Sequence, residues 1–351
     1  MTTSPKRTPD PLEVIKGLSI MVFMVNHFRI ICWGADLNRE SYGRAAVGMF
    51  FLASGLAIQR SLSRRLPGAP RFFGPIMRFW RDRALRIYPL YLLAMALMPV
   101  LFGASLTWWQ VLGANSPYWF FNRIAQCYLA APLLFFAARS RSWNVRLVPV
   151  AFYAALNLGL LAGRYDLSSF WLGQFRYQHL AFTHLLLYYL GMLEAEAGLN
   201  WARLAAPLGG LGLLAGYVLM LIACGFGSSP WLHGVAVLVY IPASLIFFAS
   251  FRALKAPMPG GPVLAFLGRY SWPVCLFEPV YYFALFKLKL LQVLAWKGIA
   301  RFVALSPLFF LGCAGLQKAQ SLVIRQVAAG PVRLDPQGLS LRSGLKRAGQ
   351  A

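Results

Sequence analysis

The sequence predicts an all-α integral membrane protein, a bundle of about ten transmembrane helices with both termini in the cytoplasm. Of its 351 residues 59% are hydrophobic and 13% are charged. The mean hydropathy of +0.58 lies outside the range of soluble domains. Apolar segments of about the 20 residues that a helix needs to cross the hydrocarbon recur from residue 12 to residue 320, and no alternating strand pattern competes with them.

Ten apolar segments qualify as spans. The first has no small-residue cleavage site and carries polar residues, so it is interpreted as a retained helix and not as a secretory signal. The predicted spans are 12–32, 45–62, 84–103, 118–138, 145–163, 179–197, 204–224, 231–251, 264–286 and 299–319.

Basic residues predict the orientation of the bundle. The loop between the second and third spans is rich in arginine and holds one acid, Asp82, which places it in the cytoplasm. The segments 104–117 and 225–230, which then lie outside, contain no charge. Lys287, Lys289 and Lys297 fall on the outer side against this rule, and an interfacial helix would account for them.

Three regions follow from this pattern. Residues 1–11 form a cytoplasmic N-terminal segment, residues 12–320 form the transmembrane domain, and residues 321–351 form a basic, largely disordered cytoplasmic tail. The net charge of +24 is explained by membrane topology, so a nucleic-acid partner is not expected. The five cysteines stand singly and are interpreted as free thiols.

The first span carries a polar stripe. Lys16 and His27 are eleven residues apart, which puts them on one face of a helix with about 16 Å of rise between them. Glu13, three residues before Lys16, joins this face. An ionisable group inside the bilayer costs about 2.5–3.5 kcal/mol, so such groups usually serve a function. The alternative is that His27 bonds a neighbouring helix while Lys16 extends to the interface.

Arginines approach the third span in "FWRDRALRIYPLYLL". Arg83 and Arg86 are three residues apart and face the same way, so they can hold a phosphorylated ligand, with Arg81 and Tyr88 beside them. Ordinary anchoring on the cytoplasmic side is the alternative.

Further polar residues lie inside apolar spans. Ser54 stands in "AVGMFFLASGLAI", where Gly48 and Gly55 permit close helix packing. Asn26 precedes His27, and Asn26, Ser54 and Glu278 are candidate supporting residues. Glu278 is a candidate partner that orients His27 or pairs with Lys16, and a carboxyl kept neutral by burial is the alternative.

The remaining histidines do not predict a metal site. His179 and His184 are five residues apart, about 140° around a helix, which is a poor spacing for one metal ion. They are interpreted as interfacial residues or as acceptor contacts, and His233 as an interfacial residue.

The order of three motifs, "EVIKGLSIMVFMVNHF", "VGMFFLASGLAIQRSL" and "FWRDRALRIYPLYLL", resembles the membrane-bound acyltransferase-3 superfamily. Later segments, "YWFFNRIAQCYLAAP", "LLLYYLGMLEA" and "LGRYSWPVCLFEPV", are similar as well, so the resemblance spans most of residues 12–285.

The resemblance implies an acyl-CoA donor, carrying acetyl in particular or else a small dicarboxylic acyl group, that enters from the cytoplasm and is a substrate and not a bound cofactor. It also implies a hydroxyl acceptor on a saccharide, a lipid-linked glycan or another envelope molecule, and a location in a bacterial inner membrane. The family's essential histidine corresponds to His27, and its arginine pair corresponds to Arg83 and Arg86. A neutral imidazole can accept the hydroxyl proton, while Lys16 and Glu13 act as electrostatic neighbours.

The sequence departs from the family at three points. Lys16 stands where the family usually has arginine, Ile124 and Ala125 stand where it usually has an acid, and Glu278 stands where the late motif often ends in histidine.

Two other functions are compatible with the same polar stripe. One is a transporter or flippase, although no repeated hydropathy pattern supports it. The other is a pseudoenzyme that has lost the acid near Ile124 but has kept the histidine and the arginine pair.

Overall fold

The computed structural model describes residues 9–33, 41–66, 73–103, 105–111, 118–162, 171–172, 175–176, 182–196, 201–225, 230–254, 258, 260–287 and 295–329. In these ranges the chain is helical except for loops and one short hairpin. The hairpin pairs β1 (Trp171–Leu172) with β2 (Phe175–Arg176) in antiparallel register. The prediction of an all-α protein is thus confirmed apart from these four residues.

Thirteen α-helices occur in the described ranges, together with one 3₁₀ turn at Ala206–Leu208. They are α1 (Pro11–Trp33), α2 (Ser41–Arg65), α3 (Phe73–Phe102), α4 (Trp108–Val111), α5 (Trp119–Arg139), α6 (Trp143–Ala162), α7 (Phe182–Glu196), α8 (Trp201–Ala205), α9 (Gly209–Gly225), α10 (Pro230–Ala253), α11 (Gly261–Arg269), α12 (Ser271–Lys287) and α13 (Ala295–Ala329).

Six helical segments of the described chain are long and apolar enough to cross a membrane, which supports the prediction of an integral membrane protein. These segments are Pro11–Phe28, Ala46–Arg65, Phe73–Leu101, Phe120–Arg139, Trp201–Met220 and Ala300–Gln326. Each of the ten predicted spans coincides with helical structure, but the count of ten membrane crossings stays a prediction.

Several element boundaries differ from the sequence prediction, and the seventh span is divided between α8 and α9 by the 3₁₀ turn. The ninth span is not one helix, because the chain turns at Tyr270 between α11 and α12. The third helix begins at Phe73, eleven residues before the predicted span. The last helix continues to Ala329, past the predicted start of the tail at residue 321, and residues 330–351 lie outside the described ranges.

The second helix forms the centre of the bundle. It contacts α1, α5, α7, α9 and α10, and 78% of Ala46–Arg65 is buried, against 22% of Ala300–Gln326 in α13. The outer helices expose large apolar side chains such as Leu92, Leu93 and Val100 of α3. In a bilayer these side chains face lipid.

Glycines let α2 and α7 touch through their backbones. A Cβ atom added at Gly55 would lie 1.8 Å from the carbonyl oxygen of Tyr188, and one added at Gly191 would lie 2.1 Å from that of Leu52. Both distances are far below van der Waals contact, so each helix requires glycine opposite the other's backbone. The predicted role of Gly55 in close packing is confirmed.

Prolines within the spans leave backbone carbonyls without their helical donor, and side chains of other helices take the donor's place. Pro89 in α3 has no N–H for the carbonyl of Leu85, and Gln320 Nε2 of α13 donates to that oxygen at 2.9 Å. Pro132 in α5 likewise has no N–H for the carbonyl of Tyr128, and Trp80 Nε1 donates to that oxygen at 3.1 Å. These two bonds tie α3 to α13 and to α5.

The bond to the Leu85 carbonyl predicts a stability effect. We expect Gln320→Leu to destabilise the protein by about 1 kcal/mol, because the variant loses the hydrogen bonds from Nε2 to the carbonyls of Leu85 and Arg86 that join α13 to α3. The measurement is the thermal unfolding midpoint of the purified protein in detergent. Gln326→Leu, an exposed glutamine on the same helix, is the control, and equal midpoints for the two variants would contradict the assignment.

Candidate active site

Two ionisable side chains from opposite ends of the sequence meet inside the bundle. His27 Nδ1 of α1 lies 2.9 Å from Glu278 Oε2 of α12. The Glu278 side chain is 1% exposed and that of His27 is 28% exposed, so the carboxylate is enclosed while the imidazole keeps access to the surroundings. When Nδ1 donates its proton to the carboxylate, the basic lone pair is on Nε2.

Two aromatic side chains fix the positions of His27 and Glu278 relative to each other. The Tyr282 hydroxyl, one helical turn after Glu278, donates to the carbonyl oxygen of Met24 at 2.5 Å and so joins α12 to α1 beside the pair. The ring of Phe23 packs on the imidazole with 4.2 Å between ring centroids. The orientation of His27 is therefore fixed by a carboxylate on one side and a ring on the other.

Lys16 pairs with the residue on its own helix and not with Glu278. Its Nζ lies 2.8 Å from Glu13 Oε1. A Cβ atom added at Gly268 would lie 1.8 Å from the Glu13 carbonyl oxygen, so this part of α1 packs directly on α11. The sequence leaves the partner of Glu278 open between His27 and Lys16, and in the structure Glu278 contacts His27.

Arg83 lies where α2, α3 and α5 meet. Its Nη2 donates to Ser61 Oγ at 3.2 Å. Its guanidinium lies over the rings of Phe79 and Tyr128, 5.4 Å and 5.7 Å from their centroids. The buried Nε atom has no hydrogen-bond partner. Arg83 is therefore a half-buried cation whose Nε–H group makes no hydrogen bond.

The other residues of the arginine segment lie in different environments. Arg86 is exposed, so the structure does not place it in the same pocket as Arg83. Arg81 is exposed and lies 3.5 Å from Asp82. Tyr88 packs edge-on against Tyr91 and Phe121 inside the bundle.

The two remaining candidates, Asn26 and Ser54, are both buried.

A small cleft lies one helical turn from the histidine. The cleft has a volume of about 220 Å³ including its open mouth, and α1, α2, α5 and α12 contribute its walls. Its lining carries no charged group and consists of Ser19, Ile20, Phe23, Ala46, Val47, Phe50, Phe120 and Cys275.

Sequence reasoning missed two ion pairs at the end of α7, of which the first is mostly buried and the second is partly exposed. Glu194 Oε1 accepts a hydrogen bond from Arg252 Nη1 of α10. Glu196 accepts from Gln59 and Ser63 of α2 at 3.1 Å and 3.0 Å, and Arg139 Nε lies 3.6 Å away. These contacts tie α2, α5, α7 and α10 together. Acids inside an otherwise apolar segment, "LGMLEAE", were the available signal.

His184 is not an interfacial residue. Its side chain is buried, its Nδ1 lies 3.1 Å from Arg123 Nη1, and its ring packs on Phe51. The interfacial interpretation was therefore wrong, because α5 and α7 pack together at this point.

His179 lies outside the described ranges, and the side chain of His233 is not described. Ile124, at the position of the family's acid, is buried in the apolar core.

Among the described residues no group of three or more histidine, cysteine or acidic side chains is arranged to hold a metal ion.

A comparison with protein families matches residues 12–318 to the model of the acyltransferase-3 family, described as an acyltransferase domain. This range covers most of the chain and all three residues of the polar stripe. No curated protein and no solved structure matches the chain.

The contact between Tyr282 and Met24 predicts a stability effect of its own. We expect Tyr282→Phe to lower the free energy of unfolding by about 1 kcal/mol, because the ring stays packed while one buried hydrogen bond is lost. Thermal unfolding in detergent measures the effect. Tyr270→Phe, at the turn between α11 and α12, is the matched control, and an equal midpoint for both would show that the Tyr282 hydroxyl contributes nothing.

Proposed function

Because this chain belongs to the acyltransferase-3 family of membrane acyltransferases, we propose that it transfers a short acyl group from acyl-CoA to a hydroxyl group. The acceptor is a saccharide, a lipid-linked glycan or another envelope molecule. The contact of 2.9 Å between His27 and Glu278 is the observation that carries this proposal. An enclosed carboxylate that orients a more accessible imidazole is an arrangement that supports general base catalysis.

The proposed reaction assigns one role to each member of the pair. Nε2 of His27 accepts the proton of the acceptor hydroxyl while the oxygen attacks the thioester carbonyl carbon. The carbon–sulfur bond then breaks, and the imidazolium returns its proton to the sulfur of coenzyme A. Glu278 holds the Nδ1 proton throughout and stabilises the positive charge of the imidazolium. Protons and electrons balance without a further reactant.

The donor is proposed to bind at the cytoplasmic end of α3. Arg83 supports this role, because it presents a half-buried guanidinium over two aromatic rings near the start of α3. Guanidinium groups bind phosphate through paired hydrogen bonds. Arg86 and Arg81 are both exposed and supply further positive charge for the diphosphate of coenzyme A. Tyr88, two residues after Arg86 on α3, supports the donor site. Coenzyme A is a substrate in this proposal and no bound cofactor is invoked.

Lys16 and Glu13 are proposed to act through their charges and not by contact with the reacting atoms. Lys16 lies about 16 Å and Glu13 about 21 Å along α1 from His27, and the two are paired at 2.8 Å. Their proposed role is to hold the cytoplasmic part of α1 against α11 and to set the electrostatic potential along the helix. Asn26 and Ser54 are proposed as buried supports of α1 and α2.

The proposed setting is a bacterial inner membrane. Ten spans with both termini in the cytoplasm put the arginine-rich start of α3 on the donor side and bring His27 toward the opposite side. The proposed regions are a cytoplasmic segment at residues 1–11, a catalytic domain that extends through α13, and a basic tail after Ala329. A donor from one side and an acceptor from the other then meet at the histidine.

The catalytic pair is tested by mass spectrometry of envelope glycans and lipids from cells that lack the gene and carry variants on a plasmid. Wild type restores an acyl group that the deletion loses. We expect His27→Gln to lower this acylation by at least about 100-fold, and Glu278→Gln by about tenfold or more, because an amide does not stabilise the imidazolium.

His233→Gln is the control for the loss of a histidine, and membrane insertion of every variant is checked by size-exclusion chromatography. Full acylation by an inserted His27→Gln variant would refute the role of His27. Movement of a labelled saccharide across liposomes without any acyl donor would favour a transporter instead.

The donor site is tested by calorimetric binding of coenzyme A to the protein in nanodiscs. We expect Arg83→Ala to weaken binding by about tenfold, and the double variant with Arg86→Ala to weaken it further, because each guanidinium offers charge-assisted hydrogen bonds to phosphate. Arg141→Ala removes an exposed arginine of the α5–α6 turn and should leave binding unchanged. Equal affinity for wild type and the double variant would contradict the proposed site.

A further inference from the structure

The last helix carries cations on a surface that faces lipid. Lys318 and Arg325 lie inside the apolar segment Ala300–Gln326, of which 22% is buried, and both are exposed. Arg269, at the end of α11, is exposed beside them. We infer that these three cations, here called the basic groove, bind the headgroup of an anionic phospholipid. The inference does not depend on the proposed acyl transfer.

The basic groove is held together where α13 meets α11. Gln317 Nε2 donates to the carbonyl oxygen of Arg269 at 3.4 Å, and Lys318 is the next residue of α13. Arg325 follows Lys318 by seven residues, which is about 10 Å of rise and within about 20° of the same helix face. Ammonium and guanidinium groups bind phosphate through charge-assisted hydrogen bonds. The groove therefore offers such groups from two helices to one headgroup.

The three cations of the groove form no ion pair with any other residue that the structure describes. Arginines of other helices do find acids, as Arg139 does with Glu196 and Arg252 with Glu194. A cation inside a span usually faces the bundle interior, where the protein supplies its partner. Lys318 faces outward instead, so a lipid phosphate is the counter-charge that its position offers.

An apolar stripe continues from the groove along α13. Leu311 and Pro307 precede Lys318 by seven and eleven residues, so both lie within about 20° of its face, and both are exposed. Charge at one end and uncharged apolar surface beyond it match the headgroup and the acyl chains of a phospholipid. A soluble phosphate or an acidic protein would leave this stripe uncovered.

The groove lies at the same end of the bundle as the proposed donor site but faces another way. Gln320 Nε2 of α13 donates to the carbonyl oxygen of Arg86 at 3.0 Å, so this part of α13 is level with the arginine-rich part of α3. Lys318 is two residues from Gln320, about 160° around the helix, and so points away from α3. In the proposed orientation this is the cytoplasmic leaflet, whose anionic lipids attract lysine and arginine.

The test is native mass spectrometry of the protein, released from detergent micelles after titration with phosphatidylglycerol or phosphatidylcholine. We expect wild type to bind its first phosphatidylglycerol at least about tenfold more tightly than phosphatidylcholine, because the second headgroup has no net charge. We expect Lys318→Gln with Arg325→Gln to remove most of this preference. Both side chains are exposed, so the variant keeps its packing. Arg269→Gln should act in the same direction.

The matched control is Arg78→Gln with Arg141→Gln, which removes two exposed arginines outside the groove and should keep the preference. An unchanged preference in the groove variants, or an equal loss in the control, would overturn the inference. Displacement of the lipid by glycerol 3-phosphate would overturn it in favour of a site for soluble phosphate. Displacement by coenzyme A would assign these cations to the donor site instead.

Discussion

The contact between His27 and Glu278 is the interaction on which the rest of this structure depends. A carboxylate that is 1% exposed inside a membrane bundle persists only with a partner, since an unpaired charge in such a place is strongly unfavourable. The imidazole supplies that partner across 251 residues of sequence. When Glu278 is ionised, the same contact places the ring proton on Nδ1, so the interaction that gives the buried acid its partner also leaves Nε2 as the basic nitrogen.

The surrounding fold maintains the distance between these two side chains. Tyr282 ties α12 to α1 at the Met24 carbonyl, and Gln320 and Trp80 satisfy the carbonyls that Pro89 and Pro132 leave open. Glycines at the α2–α7 contact allow the central helix to sit close to its neighbours. Rigid packing of this kind gives the catalytic groups a defined geometry where lipid can supply no compensating hydrogen bonds.

Hydropathy predicted the integral membrane class and the approximate positions of the helices, because a membrane span has a nearly fixed length. The family was also predicted correctly. The partner of Glu278 was left open between Lys16 and His27, because sequence spacing says nothing about contacts between helices so far apart in the chain. The break at Tyr270, the burial of His184 and the ion pairs of Glu194 and Glu196 were missed for the same reason: each depends on which helices pack together.

A double-mutant cycle on acyl transfer tests the central claim most directly. Rates are measured for wild type, His27→Ala, Glu278→Ala and the double variant in the same membranes. If Glu278 acts through His27, its removal has no further effect once the histidine is gone, so the double variant is as slow as His27→Ala alone. Losses that multiply would show that the two side chains act independently and would contradict the account.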